Sequence, residues 1–176
     1  MLNLKPYLTE EDLAQRVQAL GQEITKHYDG KDLVLICVLK GSFVFTADLA
    51  KKIDLPLRVE FIAVQSYDKT RSTGTVQITQ HLTSPIDGEH VLLVEDIVDT
   101  GITSKFLLDL MQAHNPASLG LCSLLYKPNK MKVEVPIDWL GFTIPDIFVV
   151  GYGLDYDQKY RNLPYIGVYD VEKRDS

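Results

Sequence analysis

Apolar positions along the chain fall into two rhythms. Leu13, Val17, Leu20 and Ile24 recur every three or four residues, the spacing of one helix face. Thr9 and Asp12 have the form of a capping box just ahead of them, so residues 9–28 are predicted to be a helix, ended by Asp29-Gly30. Residues 33–39 (LVLICVL) and 91–94 (VLLV) are instead unbroken apolar runs, as expected of strands buried on both faces. Further strands are predicted over 58–65, 76–79, 118–126, 148–150 and 165–169. Helices are predicted over 43–52, with Ser42 as cap, and over 106–113, stopped by Asn115-Pro116. Strands and helices alternate from 33 to 126. That order predicts an α/β fold with a parallel sheet covered by helices, and such sheets bind ligands beyond the carboxyl ends of their strands.

The 91–94 strand is followed by the acidic pair Glu95-Asp96, read as a turn, then by Asp99, Thr100, Gly101, Ile102, Thr103 and Ser104 before the next helical run. A helix start carries unpaired N–H groups and partial positive charge, so this segment suits a phosphate. Gly101 allows close backbone approach, and the hydroxyls of Thr100, Thr103 and Ser104 add donors. Carboxylates repel phosphate, so Glu95 and Asp96 are expected to hold sugar hydroxyls or a metal. The stretch reads as a binder of a phosphorylated sugar. A helix cap beside a solvated acidic turn would explain any one of these residues, but not all of them together.

Four other places carry chemistry, each beside a plainer explanation. Lys40-Gly41 ends the 33–39 strand; a lysine before glycine is ordinarily a solvated turn, but here it could meet a phosphate. Ser66 and Tyr67 open a polar loop (68–74, DKTRSTG) that is either a mobile hairpin or a lid excluding water. Lys127 ends the 118–126 strand, and Phe148-Val149 opens another. These could be surface and core residues, or together a base pocket with a stacking face and a cation for an exocyclic oxygen. Asp155 and Arg161 follow, the latter by default a surface arginine.

Composition narrows the classes. The chain has 176 residues, 45% of them hydrophobic and 24% charged, with net charge -6, which fits one soluble globular domain. An acidic chain argues against a general nucleic-acid or membrane-surface binder. Cys37 and Cys122 lie inside apolar runs and are expected to be buried thiols in a reducing compartment. With neither a signal-peptide pattern nor a run of 18 apolar residues, the cytoplasm is the expected location.

The segment VLLVEDIVDTGITS resembles the 5-phosphoribosyl-1-pyrophosphate motif of the phosphoribosyltransferases. VLKGSFVFTADL, QSYDKTRSTG, SLLYKP and GFTIPDIFVVGYGLDYDQKYRNLPY extend the resemblance over nearly the whole chain, to the hypoxanthine/guanine branch of that family. The resemblance implies a type I phosphoribosyltransferase fold, with a mostly parallel central sheet flanked by helices, a small hood and a flexible β-loop. It implies transfer of phosphoribosyl to N9 of hypoxanthine or guanine, giving IMP or GMP and pyrophosphate, with Mg2+ as cofactor and a homodimer or homotetramer as assembly. By the same match Glu95 and Asp96 hold ribose hydroxyls, directly or through Mg2+, and residues 99–103, Ile102 included, cradle the 5-phosphate. Asp99 is the catalytic residue and manages a purine proton. Lys127 meets the purine 6-oxygen, Phe148 stacks on the ring and Val149 reads its edge. Asp155 is a ligand of a second Mg2+, Lys40, Gly41 and Arg161 meet pyrophosphate, and Ser66-Tyr67 belong to the closing loop. Ile102 stands where some relatives carry a basic residue. In the family the peptide matching Leu39-Lys40 can be cis. A xanthine/guanine enzyme is the near alternative. A binding-only regulator of the same fold is the alternative from another class, and it predicts loss of Asp99 or of the closing loop.

Overall fold

The computed structural model describes residues 4–67 and 75–169. The elements run in the order β1 (Pro6–Leu8), α1 (Glu10–His27), β2 (Leu33–Leu39), α2 (Phe43–Ala50), β3 (Leu57–Tyr67), β4 (Thr75–Gln80), β5 (His90–Val98), α3 (Ile102–Gln112), β6 (Ser118–Tyr126), a short 3-10 turn Pro128–Lys130, β7 (Trp139–Thr143), β8 (Val149–Val150) and β9 (Ile166–Val168). Residues 68–74 of the expected closing loop lie outside the described residues, and of Ser66 and Tyr67 only the backbone, at the end of β3, is described.

The main sheet has the order β4-β3-β2-β5-β6-β7. β3, β2, β5, β6 and β7 are parallel, and β4 pairs antiparallel with the end of β3. The two unbroken apolar runs, β2 and the first half of β5, are its paired centre. Their alternate side chains feed two cores. Leu33, Leu35, Leu92 and Val94 pack with α1 and α2. Val34, Ile36, Val91 and Leu93 pack with Leu107 and Met111 of α3. β1, β9 and β8 make a separate three-stranded antiparallel sheet, the expected hood.

The capping box of α1 is present: Thr9 Oγ1 accepts from the Asp12 amide at 3.1 Å, and Asp12 accepts from the Thr9 amide at 2.9 Å. Such a cap contributes roughly 1 kcal/mol. Both cysteines are free and buried, as expected.

Four expectations are corrected. Glu95 and Asp96 are not a turn; β5 continues through them to Val98. Ser42 stands at the N-cap of α2 but its side chain makes no capping bond, because its hydroxyl is buried and donates instead to the Val38 carbonyl at 2.8 Å. α2 ends at Ala50 rather than at 52. The 148–150 strand is Val149–Val150 alone. β1 and β7 carry no apolar run of strand length and were not anticipated as strands; both form by docking on an existing edge.

Candidate active site

The carboxyl ends of β2 and β5, the start of α3 and the 151–161 segment enclose a cleft of about 530 Å³. It is lined by Lys40, Gly41, Glu95, Asp96, Asp99, Thr100, Gly101, Thr103, Asp155 and Arg161, together with Ser104 and neighbouring apolar residues. Ten residues chosen from three separate stretches of sequence thus share one surface. A larger cavity of about 610 Å³ lies on the other side of the 151–161 segment, between α1 and α2, and shares only Arg161 with the cleft.

The strand that carries the acidic pair loses its alternation there. Leu92 and Val94 face the α1–α2 core, and so does Ile97; Leu93 faces the α3 core, and so does Val98. This inversion of phase between 94 and 98 brings both Glu95 and Asp96 onto the cleft. Glu95 is 4% exposed, and its Oε1 has no hydrogen-bond partner among the described residues. Burial, with the adjacent Asp96 charge adding to it, pushes its carboxyl up to about 8. Burial likewise pushes Asp96 up to about 6, partly offset by backbone hydrogen bonds and by Arg161. Asp96 packs so closely on Gly41 that any side chain at 41 would meet its carboxylate.

The peptide between Leu39 and Lys40 is cis. Lys40 is exposed, and its Nζ donates to Gln158 Oε1 at 3.3 Å.

Gly101 is the N-cap of α3 and has φ 78°, a conformation open to glycine and strained for other residues. The Thr100 carbonyl accepts from the amides of Lys132 and Val133 at 2.9 and 3.1 Å, so the 131–133 segment buttresses the loop from behind. A Cβ at 101 would collide with the Val133 carbonyl. Gly101→Ala is therefore expected to cost about 1–3 kcal/mol of stability, and an unchanged midpoint of thermal unfolding would contradict this. Ile102 begins α3; its amide donates weakly to Thr100 Oγ1 at 3.4 Å, and its side chain is not part of the cleft lining. First-turn amides have no partner inside a helix, so this helix start is suited to receive an anion.

Asp99 directly follows β5. Its Oδ1 is buried with no partner among the described residues, and its Oδ2 lies 3.7 Å from Lys130 Nζ. Lys130 also pairs with Asp146 at 3.0 Å, and Asp146 with Lys127 at 3.6 Å. Asp146 sits below the usual carboxylate range because of Lys130 and Lys127, and Lys130 above the usual lysine value because of Asp146 and Asp99. The two Lys130 pairs are half-exposed and stabilise the fold little, so a ligand can exchange for them. Lys127 itself is buried, and its backbone amide donates to the Val98 carbonyl at 3.0 Å.

Lys127, Phe148 and Val149 are outside the cleft lining; Lys127 is linked to Asp99 through Asp146 and Lys130. Phe148 is 44% exposed, with its ring held edge-on by Tyr156 and Tyr169 at 5.8 and 6.1 Å. Val149 is buried in β8 opposite Val168. Asp155 pairs with Arg161 at 2.8 Å and accepts from the Gln158 amide at 2.8 Å. Lys130 and Asp146 were missed by sequence reasoning. They lie sixteen positions apart, with no local pattern joining them; opposite charges flanking Lys127 and Phe148 were the only signal.

Among the described residues no three carboxylate, imidazole or thiol groups converge into a ready metal cage. The donor set nonetheless fits Mg2+ bound with a substrate, because that ion usually takes one or two carboxylates and completes its shell with water and substrate oxygens. The unpartnered Oε1 of Glu95 is an available donor.

The chain is similar to known proteins in sequence and fold. The phosphoribosyl transferase domain family matches residues 4–157. The hypoxanthine phosphoribosyltransferase of Haemophilus influenzae is 47% identical over 170 residues, covering 94% of this chain and 95% of that protein. A hypoxanthine-guanine phosphoribosyltransferase of Staphylococcus aureus is 48% identical over 166 residues, covering 94% and 93%. A crystal structure of a Staphylococcus aureus hypoxanthine phosphoribosyltransferase superimposes with a TM-score of 0.93 at 46% identity, covering 98% of this chain and 95% of that one. Fold, cleft and sequence agree, and the chain belongs to the phosphoribosyltransferase family, in its hypoxanthine and hypoxanthine-guanine branch.

Proposed function

We propose that residues 1–176 act as one catalytic domain that moves a 5-phosphoribosyl group from 5-phosphoribosyl-1-pyrophosphate to N9 of hypoxanthine and guanine, releasing pyrophosphate and IMP or GMP. The observation that carries this reading is the chain of ion pairs from Lys127 through Asp146 and Lys130 to Asp99, beside the start of α3. A cation suited to a purine oxygen and a carboxylate suited to a ring proton stand next to a phosphate site.

In this reading the start of α3, with residues 99–103, takes the 5-phosphate. Glu95 and Asp96 hold the ribose hydroxyls. Lys40, Gly41 and Arg161 take the pyrophosphate, and Ser66 and Tyr67 belong to the segment that covers it. Phe148 offers its exposed face to the purine, Val149 its backbone to the ring edge, and Lys127 its ammonium to the 6-oxygen. As N9 bonds to the sugar carbon and the bond to pyrophosphate breaks, positive charge develops on the ribose, and the acidic groups beside it tolerate that charge. Asp99 exchanges a proton with the purine ring. Glu95, Asp96 and Asp155 would hold Mg2+, which would supply charge stabilisation for the leaving group. No helix among the described residues is long and apolar enough to cross a membrane. Two buried free thiols suit a reducing cytoplasm, and assembly into a homodimer or homotetramer is part of the same proposal.

Lys127→Ala tests the purine side. A lost hydrogen bond to a charged donor costs about 1.5–3 kcal/mol, so kcat/KM for hypoxanthine is expected to fall about 10- to 100-fold. The preference for hypoxanthine over adenine should shrink with it, since a lysine donor favours an oxygen and opposes an amino group. An unchanged ratio of the two kcat/KM values would remove Lys127 from purine recognition.

A further inference from the structure

Gly41 and Gly153 touch. A Cβ at 153 would strike the Gly41 carbonyl oxygen, so the turn 151–153 lies directly on the loop after β2. Arg161 grips the same glycine from both sides: the Gly153 amide donates to the Arg161 carbonyl at 3.0 Å, and Arg161 Nη1 donates to the Gly153 carbonyl at 2.7 Å. Arg161 and the Lys40-Gly41 loop are therefore coupled through one peptide unit.

What holds that unit down is one residue earlier. Tyr152 is 6% exposed and has φ 51°, the left-handed region, so its backbone depends on the surrounding contacts. Its amide donates to the Leu163 carbonyl at 2.9 Å, and its hydroxyl donates to Asp48 Oδ2 at 2.7 Å. Asp48 lies on α2, the helix that begins where the Lys40-Gly41 loop ends, about two turns on. The contacts close a ring: Gly41, α2, Asp48, Tyr152, Gly153 and back to Gly41. Burial and the Asp48 carboxylate both raise the phenol's pKa, so the hydroxyl remains a donor across the working pH range. Neither Asp48 nor Tyr152 lines the cleft.

We propose that Asp48 and Tyr152 are a positioning pair whose hydrogen bond sets the Lys40-Gly41 loop and Arg161 at the separation that pyrophosphate requires. This rests on the assignment of that loop and Arg161 to pyrophosphate. The pair acts on one substrate: the purine-side residues Lys127 and Phe148 are outside the ring of contacts.

The test is Tyr152→Phe, which removes one oxygen and keeps the buried ring. KM for 5-phosphoribosyl-1-pyrophosphate and Ki for added pyrophosphate should both rise about 5- to 10-fold, while KM for hypoxanthine stays within about twofold. Asp48→Ala should reproduce this, and Asp48→Asn, which still accepts from the phenol, should restore near wild-type constants. Equal shifts in the constants for both substrates would mean a merely structural role and overturn the proposal, as would unchanged pyrophosphate inhibition in Tyr152→Phe. Lys40→Ala, measured alongside, separates the two levels. If it shifts pyrophosphate inhibition and Tyr152→Phe does not, only the positioning pair fails. If neither shifts it, the pyrophosphate assignment fails and the pair with it.

Discussion

Asparagine in place of Asp99 is expected to slow the chemical step of phosphoribosyl transfer by about 10²-fold or more, within the range that a general acid–base group contributes. The substitution is nearly isosteric. It leaves the start of α3 intact, because the N-cap is Gly101 and Asp99 makes no capping bond. It also leaves the buttress on the Thr100 carbonyl in place, since that contact uses backbone atoms alone. What disappears is the carboxylate: Oδ1, buried and without a partner among the described residues, and Oδ2, 3.7 Å from Lys130. An amide neither exchanges a proton with the purine nor offsets positive charge on the reacting sugar. Product release can limit kcat and hide a chemical defect, so the measurement is a single turnover with hypoxanthine. A change below about threefold, in a variant that still binds the activated ribose, would reject the catalytic role.

Exhaustive removal of divalent metal is expected to stop turnover, with activity returning on addition of Mg2+. The argument is electrostatic. Among the described residues, Glu95, Asp96, Asp99 and Asp155 line the cleft with Lys40 and Arg161 as its cations. Arg161 is already paired with Asp155 at 2.8 Å. Burial and the neighbouring Asp96 charge push Glu95 up to about 8, a shift that a bound cation would oppose. A substrate carrying a phosphate and a pyrophosphate adds several negative charges to this surface. The two cations among the described residues do not balance them, and carboxylates near the ribose would repel the phosphates unless an ion lay between. Full turnover in chelator, with metal content below that of the enzyme, would show that Lys40, Arg161 and the backbone amides suffice.

Much of this site was legible because its parts are local. β2, β5 and the glycine-hydroxyl start of α3 are contiguous segments whose residue types state their purpose: unbroken apolar runs for a buried parallel strand, and small and hydroxyl residues for a helix start that approaches a phosphate. The capping box at Thr9 and Asp12 is equally local, and it is present. The errors fall where distant packing decides. Glu95 and Asp96 look like a turn because charge normally leaves a strand, yet pairing with β6 carries β5 through to Val98. Ser42 looks like a cap, but its hydroxyl found the Val38 carbonyl in the core. β1 and β7 are strands only because an edge was there to receive them. The roles of Lys130 and Asp146 depend on the fold bringing the segment after β6 against the one after β7, which neither segment announces.

The most direct test of the account is the initial rate of nucleoside monophosphate formation with hypoxanthine, guanine, xanthine and adenine, each at saturating 5-phosphoribosyl-1-pyrophosphate and Mg2+. The assignment of Lys127 to the purine 6-oxygen and of Phe148 to the ring predicts efficient use of hypoxanthine and guanine and rejection of adenine. Transfer to adenine as fast as to hypoxanthine, or no monophosphate from any 6-oxopurine by folded protein, would contradict it.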